Sequence, residues 1–237
     1  MDLQIIWDEL PLYFDGLLLT VQLVPLALAI GFVLAIPLAI MRLSKNPFIN
    51  FPVFAFTYAF RGTPLIVQLF LLYYGVGQFE GYSELAKEFS FLKGAYFFAL
   101  AGFTLNTAAY TTEIFRGAMA QTSFGEVEAA KACGMSQSLI FRRIIIPSAL
   151  RRALPAYSNE VIFMLHGSAL ASTITLVDLT GAARIVMSRY YAPYEAFITA
   201  GVFYFFLTFA FIWVFRQLEN HYNRHLKRRE ETIQVVT

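Results

Sequence analysis

The chain has 237 residues, of which 58% are apolar and only 14% charged, and its formal charge is +2. Soluble domains carry about 25% charged residues, so water cannot cover this surface everywhere, and so small a charge argues against a nucleic-acid partner. The single cysteine, Cys133, excludes an internal disulfide, and no Cys/His spacing suggests a metal site.

The chain opens on "MDLQIIWDELPLYFDG", which is acidic where a cleaved signal peptide would be basic. Residues 1–15 are predicted to lie as an amphipathic segment along the outer membrane interface. A span needs about 20 mostly apolar residues. About five segments qualify: Gly16–Met41, Val53–Gly77, Ala95–Ala118, Pro155–Val177 and Tyr194–Phe215. The predicted fold class is all-α, a polytopic membrane protein.

Connection charges orient it. Arg42 and Lys45 follow the first span. Lys131, Arg142, Arg143, Arg151 and Arg152 follow the third, and Arg216, Arg224, Lys227, Arg228 and Arg229 follow the fifth. Asp2, Asp8, Glu9 and Asp15, then Glu80, Glu84 and Glu88, mark the other side, while Arg184 and Arg189 are mixed with Asp178 and Glu195. These place the N-terminus outside and the C-terminus in the cytoplasm. The expected organisation is an interfacial segment 1–15, a transmembrane domain 16–218 with a cytoplasmic loop at about 119–154, and a cytoplasmic tail 219–237.

Inside that loop, Ser123 and Glu126 have the spacing of a capping box. Ala129, Ala130 and Ala132 give the first helix a small face, and Gly134 is its expected stop. Ser136 caps a second helix, which Pro147 is expected to end. The prediction is a helix–turn–helix of two short helices, neither able to span a bilayer. Read from the residues alone, it is either a plain connection lying on the membrane or a surface built for a partner.

The order Glu128-Ala129-Ala130, three residues, Gly134, nine residues, then Ile144-Ile145-Ile146-Pro147 resembles the E-A-A…G…I-x-L-P signature of the membrane subunits of bacterial ATP-driven importers. The one departure is Ile146 in place of leucine. "AFRGTPLIVQLFLLYYG", "TLNTAAYTTEIFRGA" and "ALPAYSNEVIFMLHGSAL" resemble the polar amino-acid branch of this family, above all the M-type subunits of histidine/lysine/arginine/ornithine, arginine and opine importers.

The resemblance implies a MetI-like transmembrane domain of a type I importer in the bacterial inner membrane, with a periplasmic N-terminus. It implies a homologous sister permease in a heterodimer, two ATPase subunits and a periplasmic binding protein as partners. ATP and magnesium would be bound by the ATPases, with no cofactor held by this chain and no enzymatic activity of its own. Glu128, Ala129, Ala130 and Gly134 would form the contact that couples ATPase closure to the spans. The substrate implied is a polar, basic amino acid or an opine.

Ionisable groups inside a span cost about 2.5–3.5 kcal/mol each on insertion scales, so each needs a reason. Arg61 lies about 12 Å into the second span at the helical rise per residue, and Glu113 and Glu160 fall at similar depth. They are expected to form an inner ion-pair network or gate, the alternative being contact with a substrate's carboxylate and ammonium groups. Nearer mid-membrane stand Gln68, Asn106 and His166, with Asn159 and Ser168 beside the last. Gln68 shares a helix face with Arg61 unless Gly62 and Pro64 bend the helix, and Asn159, His166 and Thr173 repeat at seven-residue spacing. Converging, these faces would line a polar pathway.

No G-x-x-x-x-G-K-[ST] loop is present, which argues against ATP binding by this chain itself. His166 and Ser168 are two apart, about 200° around a helix, which argues against a serine nucleophile and its base. An ion-coupled secondary transporter or channel subunit is the alternative function. It would be expected to carry an inverted repeat, and none is evident.

Overall fold

A computed structural model describes residues 3–222, and every regular element among them is helical. Residues 1, 2 and 223–237, with Asp2, Arg224, Lys227, Arg228, Arg229 and most of the expected tail, lie outside the described residues. The first helix, α1 (Leu3–Arg42), is 40 residues long. The expected break between an interfacial segment and the first span is therefore absent. Pro11, Pro25 and Pro37 each remove a backbone donor, yet none interrupts the helix.

The second span is broken. Helix α2 (Pro47–Gly62) and helix α3 (Leu65–Phe70), which runs on as a π-turn over Leu71–Gly75, meet at 107°. Thr63 and Pro64 take extended backbone between them, as the restriction that proline places on the residue before it requires. Arg61 and Gln68 therefore do not share one helix face. A short helix α4 (Glu80–Glu88) leads to α5 (Ala95–Ala120).

The cytoplasmic stretch differs from expectation in two places. Helix α6 (Phe124–Ala132) starts at Ser123, whose side chain makes no capping hydrogen bond, so the capping box is not formed. Helix α7 (Gln137–Ile140) does start on a cap, with Ser136 accepting from the Leu139 N–H. It then passes through a π-turn over Phe141–Ile145 straight into α8 (Ile146–Gly167). Pro147 does not end a helix; it lies in the first turn of α8, just after the π-turn that holds the carbonyl its ring would otherwise strike. The free-standing part of the loop is thus 121–136, and residues 137–154 belong to the helix of the fourth span.

That helix stops at Gly167, ten residues before the expected Val177. Ser168, Ser172 and Thr173 donate their hydroxyls to carbonyls three residues back, at 2.7, 3.0 and 2.6 Å, and the chain tightens into a 3₁₀ turn over Ser168–Ile174. Asp178 then accepts from the Gly181 N–H at 2.9 Å and caps α9 (Leu179–Tyr190). Helix α10 (Pro193–Tyr222) closes the described chain.

By length and apolarity α1 and α10 can each cross a membrane, and the bent pairs α2/α3 and α7–α8/α9, the latter bent by 48°, qualify as broken spans. Helix α5 is the exception. Its polar residues Thr104, Asn106, Thr107, Thr111 and Thr112 are buried, so α5 is surrounded by protein where the others meet lipid. Leu23 and Val24 of α1, Phe103 of α5 and Val161 and Leu165 of α8 form the central core. Nearer Arg42 a second core sets Phe115, Met119, Ile140 and Ile145 beside Ala35, Ala39, Ala118, Ala149 and Ala153. Small side chains of this kind are what close helix packing needs where lipid provides no hydrophobic drive. Gly16 serves the same end, since a Cβ there would stand 2.8 Å from the Asp178 carbonyl.

Candidate functional site

Helix α6 hangs outside the apolar bundle on two ordered turns. At its end Cys133 is the C-cap and Gly134 takes φ +75°, the left-handed region open to glycine. The Gly134 N–H donates to the Lys131 carbonyl at 2.9 Å, and the Met135 N–H to the Ala130 carbonyl at 3.1 Å. Both bonds of a Schellman turn are made, and Met135 packs back onto the bundle. At the other end, Arg152 of α8 reaches the last turn of α5, donating to the Ala118 carbonyl at 3.1 and 3.2 Å and to Thr122 Oγ1 at 2.8 Å. Arg152, which the sequence offers only as a loop charge, therefore fixes the root of α6.

Of the four residues expected at the coupling contact, Glu128, Ala129 and Gly134 are exposed. Ala130 is buried against Ile140 and its neighbours. Its small side chain lets α6 lie on its own chain, and the outward face is left to the other three.

The expected cluster of Arg61, Glu113 and Glu160 is split. Glu113 accepts from Arg42 Nε at 3.0 Å, Arg116 Nε at 2.6 Å and Thr57 Oγ1 at 3.1 Å. Arg42 is held in turn by Asn50, whose Oδ1 lies 2.6 Å away. This lock ties the end of α1 to α2 and α5. The sequence places Arg42 in a connection, and only the three-residue spacing of Glu113 and Arg116 could have announced the pair. Arg61 turns elsewhere: its guanidinium lies 5.3 Å from the centre of the Tyr110 ring, a cation–π distance, and it interacts electrostatically with the buried Glu160.

Beside this pair is a cavity of about 330 Å³ lined by Leu65, Asn106, Tyr110, Glu160, Phe163 and Met164. Gln68 lies behind it, its Oε1 accepting from Asn106 Nδ2 at 3.0 Å. The other expected pathway residues do not converge here. His166 Nε2 is 3.2 Å from Thr208 Oγ1 on α10, and Asn159 is exposed away from the cavity. Ser168 is buried and bonded to the Leu165 carbonyl, so it is not paired with His166. The seven-residue repeat on the fourth span marks an outer face, and the cavity wall is built from the next face, through Glu160, Phe163 and Met164.

A third polar group holds the far end of α1. Glu9, buried, accepts from Arg189 and from the Tyr190 hydroxyl, the latter at 2.9 Å. Both Glu9 and Asp178 read from the sequence as solvent-side charges, and both are structural anchors.

A family model described as the binding-protein-dependent transport system inner membrane component matches residues 27–224. The chain is 44% identical over 229 residues to the nopaline transport system permease protein NocM of Agrobacterium fabrum (strain C58 / ATCC 33970), covering 97% of this chain and 95% of the relative. It is 46% identical over 214 residues to the histidine/lysine/arginine/ornithine transport system permease protein HisM of Escherichia coli (strain K12), covering 90% of each. A chain from the crystal structure of an amino acid ABC transporter with histidines superposes with a TM-score of 0.79 at 32% identity, over 93% of this chain and 99% of that one. The MetNI methionine ABC transporter in an inward-facing conformation has the same fold, with a TM-score of 0.72 at 18% identity over 94% of this chain and 99% of that one.

Proposed function

The chain belongs to the family of binding-protein-dependent transport system inner membrane components, and from that premise we propose that it is the permease subunit of an ATP-driven importer of basic amino acids or opines in the bacterial inner membrane. The observation that carries the reading is helix α6, capped by a complete Schellman turn and presenting Glu128, Ala129 and Gly134 outward. A rigid helix with a small outward face is a docking element, and an ATPase subunit is the partner that the family supplies.

In this reading five spans are contributed by each permease, and a homologous sister subunit completes the pathway. Two ATPases bind ATP and magnesium, close, and push α6. The push passes through the Arg152 contact and the unbroken run from α7 into α8, whose inner face lines the cavity. A periplasmic binding protein delivers substrate, and access alternates between the two sides of the membrane.

Co-expression with the sister permease, ATPase and binding protein, followed by reconstitution into proteoliposomes, tests this. The expected result is arginine-class uptake that needs ATP and the binding protein. Ala129→Trp, which places a large side chain on the outward face of α6, is expected to release the ATPase on purification and to stop uptake. Uptake that persists without the ATPase would refute the reading.

A further inference from the structure

The geometry points to Gln68 as a specificity-determining positioning residue, one that never touches the substrate but fixes which end of the Asn106 amide faces the cavity. This rests on the reading of that cavity as the place where substrate passes.

Carbonyl oxygens can only accept hydrogen bonds, and that decides the orientation. The Gln68 side-chain nitrogen lies 2.7 Å from the Phe60 carbonyl, 3.0 Å from the Thr63 carbonyl and 2.8 Å from Thr63 Oγ1. The reverse orientation would set its oxygen against two backbone carbonyls, so the NH₂ group must face the break between α2 and α3. Gln68 Oε1 then has to face Asn106, and an acceptor there requires a donor. Asn106 supplies its NH₂ at 3.0 Å. Both amides are buried, so an unmet group on either is costly.

The consequence falls on the other end of Asn106. With Nδ2 turned to Gln68, Oδ1 is held on the opposite side of the amide, toward the cavity that Asn106 lines. Tyr110, on the same wall, donates its hydroxyl hydrogen to the Arg61 carbonyl at 3.4 Å and so offers the cavity lone pairs. Glu160 adds a carboxylate. Asn106, Tyr110 and Glu160 each offer the cavity an acceptor oxygen, which suits a donor-only cation, a guanidinium or an ammonium. A neutral urea or amide group would set its own carbonyl against one of these acceptors and lose a bond. Gln68 therefore links the backbone break to the charge type that the cavity admits.

The test uses the reconstituted four-component importer, with arginine and its neutral isostere citrulline as substrates. Gln68→Leu frees the Asn106 amide to turn, and the arginine-over-citrulline ratio of kcat/KM is expected to fall about tenfold, the value of roughly one charge-assisted hydrogen bond. Adding Asn106→Asp to Gln68→Leu restores the ratio, because a carboxylate presents oxygen whichever way it turns. Gln68→Met, unbranched, serves as the second variant should Gln68→Leu fail to assemble with its partners. A fall that is equal for both substrates, or one that Asn106→Asp does not rescue, means that Gln68 only braces the break and overturns the proposal. A wild-type importer with no preference for cations overturns the substrate reading itself, and is distinguished by needing no variant.

Discussion

At the residue scale, the charged groups nearest the cytoplasmic ends show how neighbours decide a role. Glu113 is only 11% exposed and has three donors, whereas Arg61 spends its charge on a ring face and on Glu160. Removing the Glu113 charge leaves Arg42 with Asn50 and the face of the Phe54 ring, and takes the ion-pair partner from Arg116. Glu113→Gln is expected to lower stability by about 2 kcal/mol, between the values for exposed and for buried ion pairs. Thermal unfolding of the purified subunit complex in detergent would measure it; an unchanged midpoint would mean that the lock adds nothing to the fold. Sequence showed these residues to be out of place in a span, which is a one-residue property. It did not show which charge meets which, since that depends on the 107° break that turns Arg61 away from Gln68.

At the element scale, the helices were legible wherever a single periodicity ran uninterrupted, and less so where backbone groups are satisfied in unusual ways. The helices over Gly16–Met41, Ala95–Ala118 and Tyr194–Phe215 followed from apolar runs, and the Gly134 stop from one glycine. Pro147 misled because a proline normally terminates or kinks a helix, whereas here a π-turn at Phe141–Ile145 takes up the extra residue and the helix continues. The run to Val177 misled in the opposite sense, because the helix stops at Gly167 and hydroxyls from Ser168, Ser172 and Thr173 bond to carbonyls three residues back in a tighter turn. Pro147→Ala restores a backbone donor and lets the π-turn anneal into regular helix. With the ring clash already relieved, stability is expected to rise by no more than about 1 kcal/mol, the worth of one hydrogen bond, while ATP-driven uptake falls, because α7 and the root of α6 rotate relative to α8. A variant that gains stability and keeps full uptake would show that the π-turn has no part in coupling.

At the scale of the whole molecule, the cavity is incomplete. Phe163, which lines it, is 71% exposed. In the assembly proposed above, a second permease would cover it and supply a further wall. In a Cys133→Ser background, Phe163→Cys is expected to form a disulfide with a cysteine scanned along the facing helix of the sister subunit, which requires Cα atoms within about 7 Å. Labelling of Phe163→Cys by a lipid-soluble maleimide with no crosslink at any scanned position would instead open this face to lipid. The candidate site was legible in part. Asn106 and Glu160 do line one cavity, but Asn159 and His166 were grouped with them on a seven-residue spacing that a straight helix obeys and a bundle of bent ones does not.

The length of α1 carries one more consequence. From Glu9 to Arg42 the helix rises about 50 Å, whereas the hydrocarbon core of a bilayer is roughly 30 Å thick. With α1 crossing the bilayer, the surplus is long enough to carry Glu9–Arg189 and Arg42–Glu113 out of the hydrocarbon on opposite sides, at the two tips of a single shaft. Salt on one side of the membrane can screen only the clamp on that side. The bilayer insulates the two clamps electrically from each other, and the shaft still joins them mechanically.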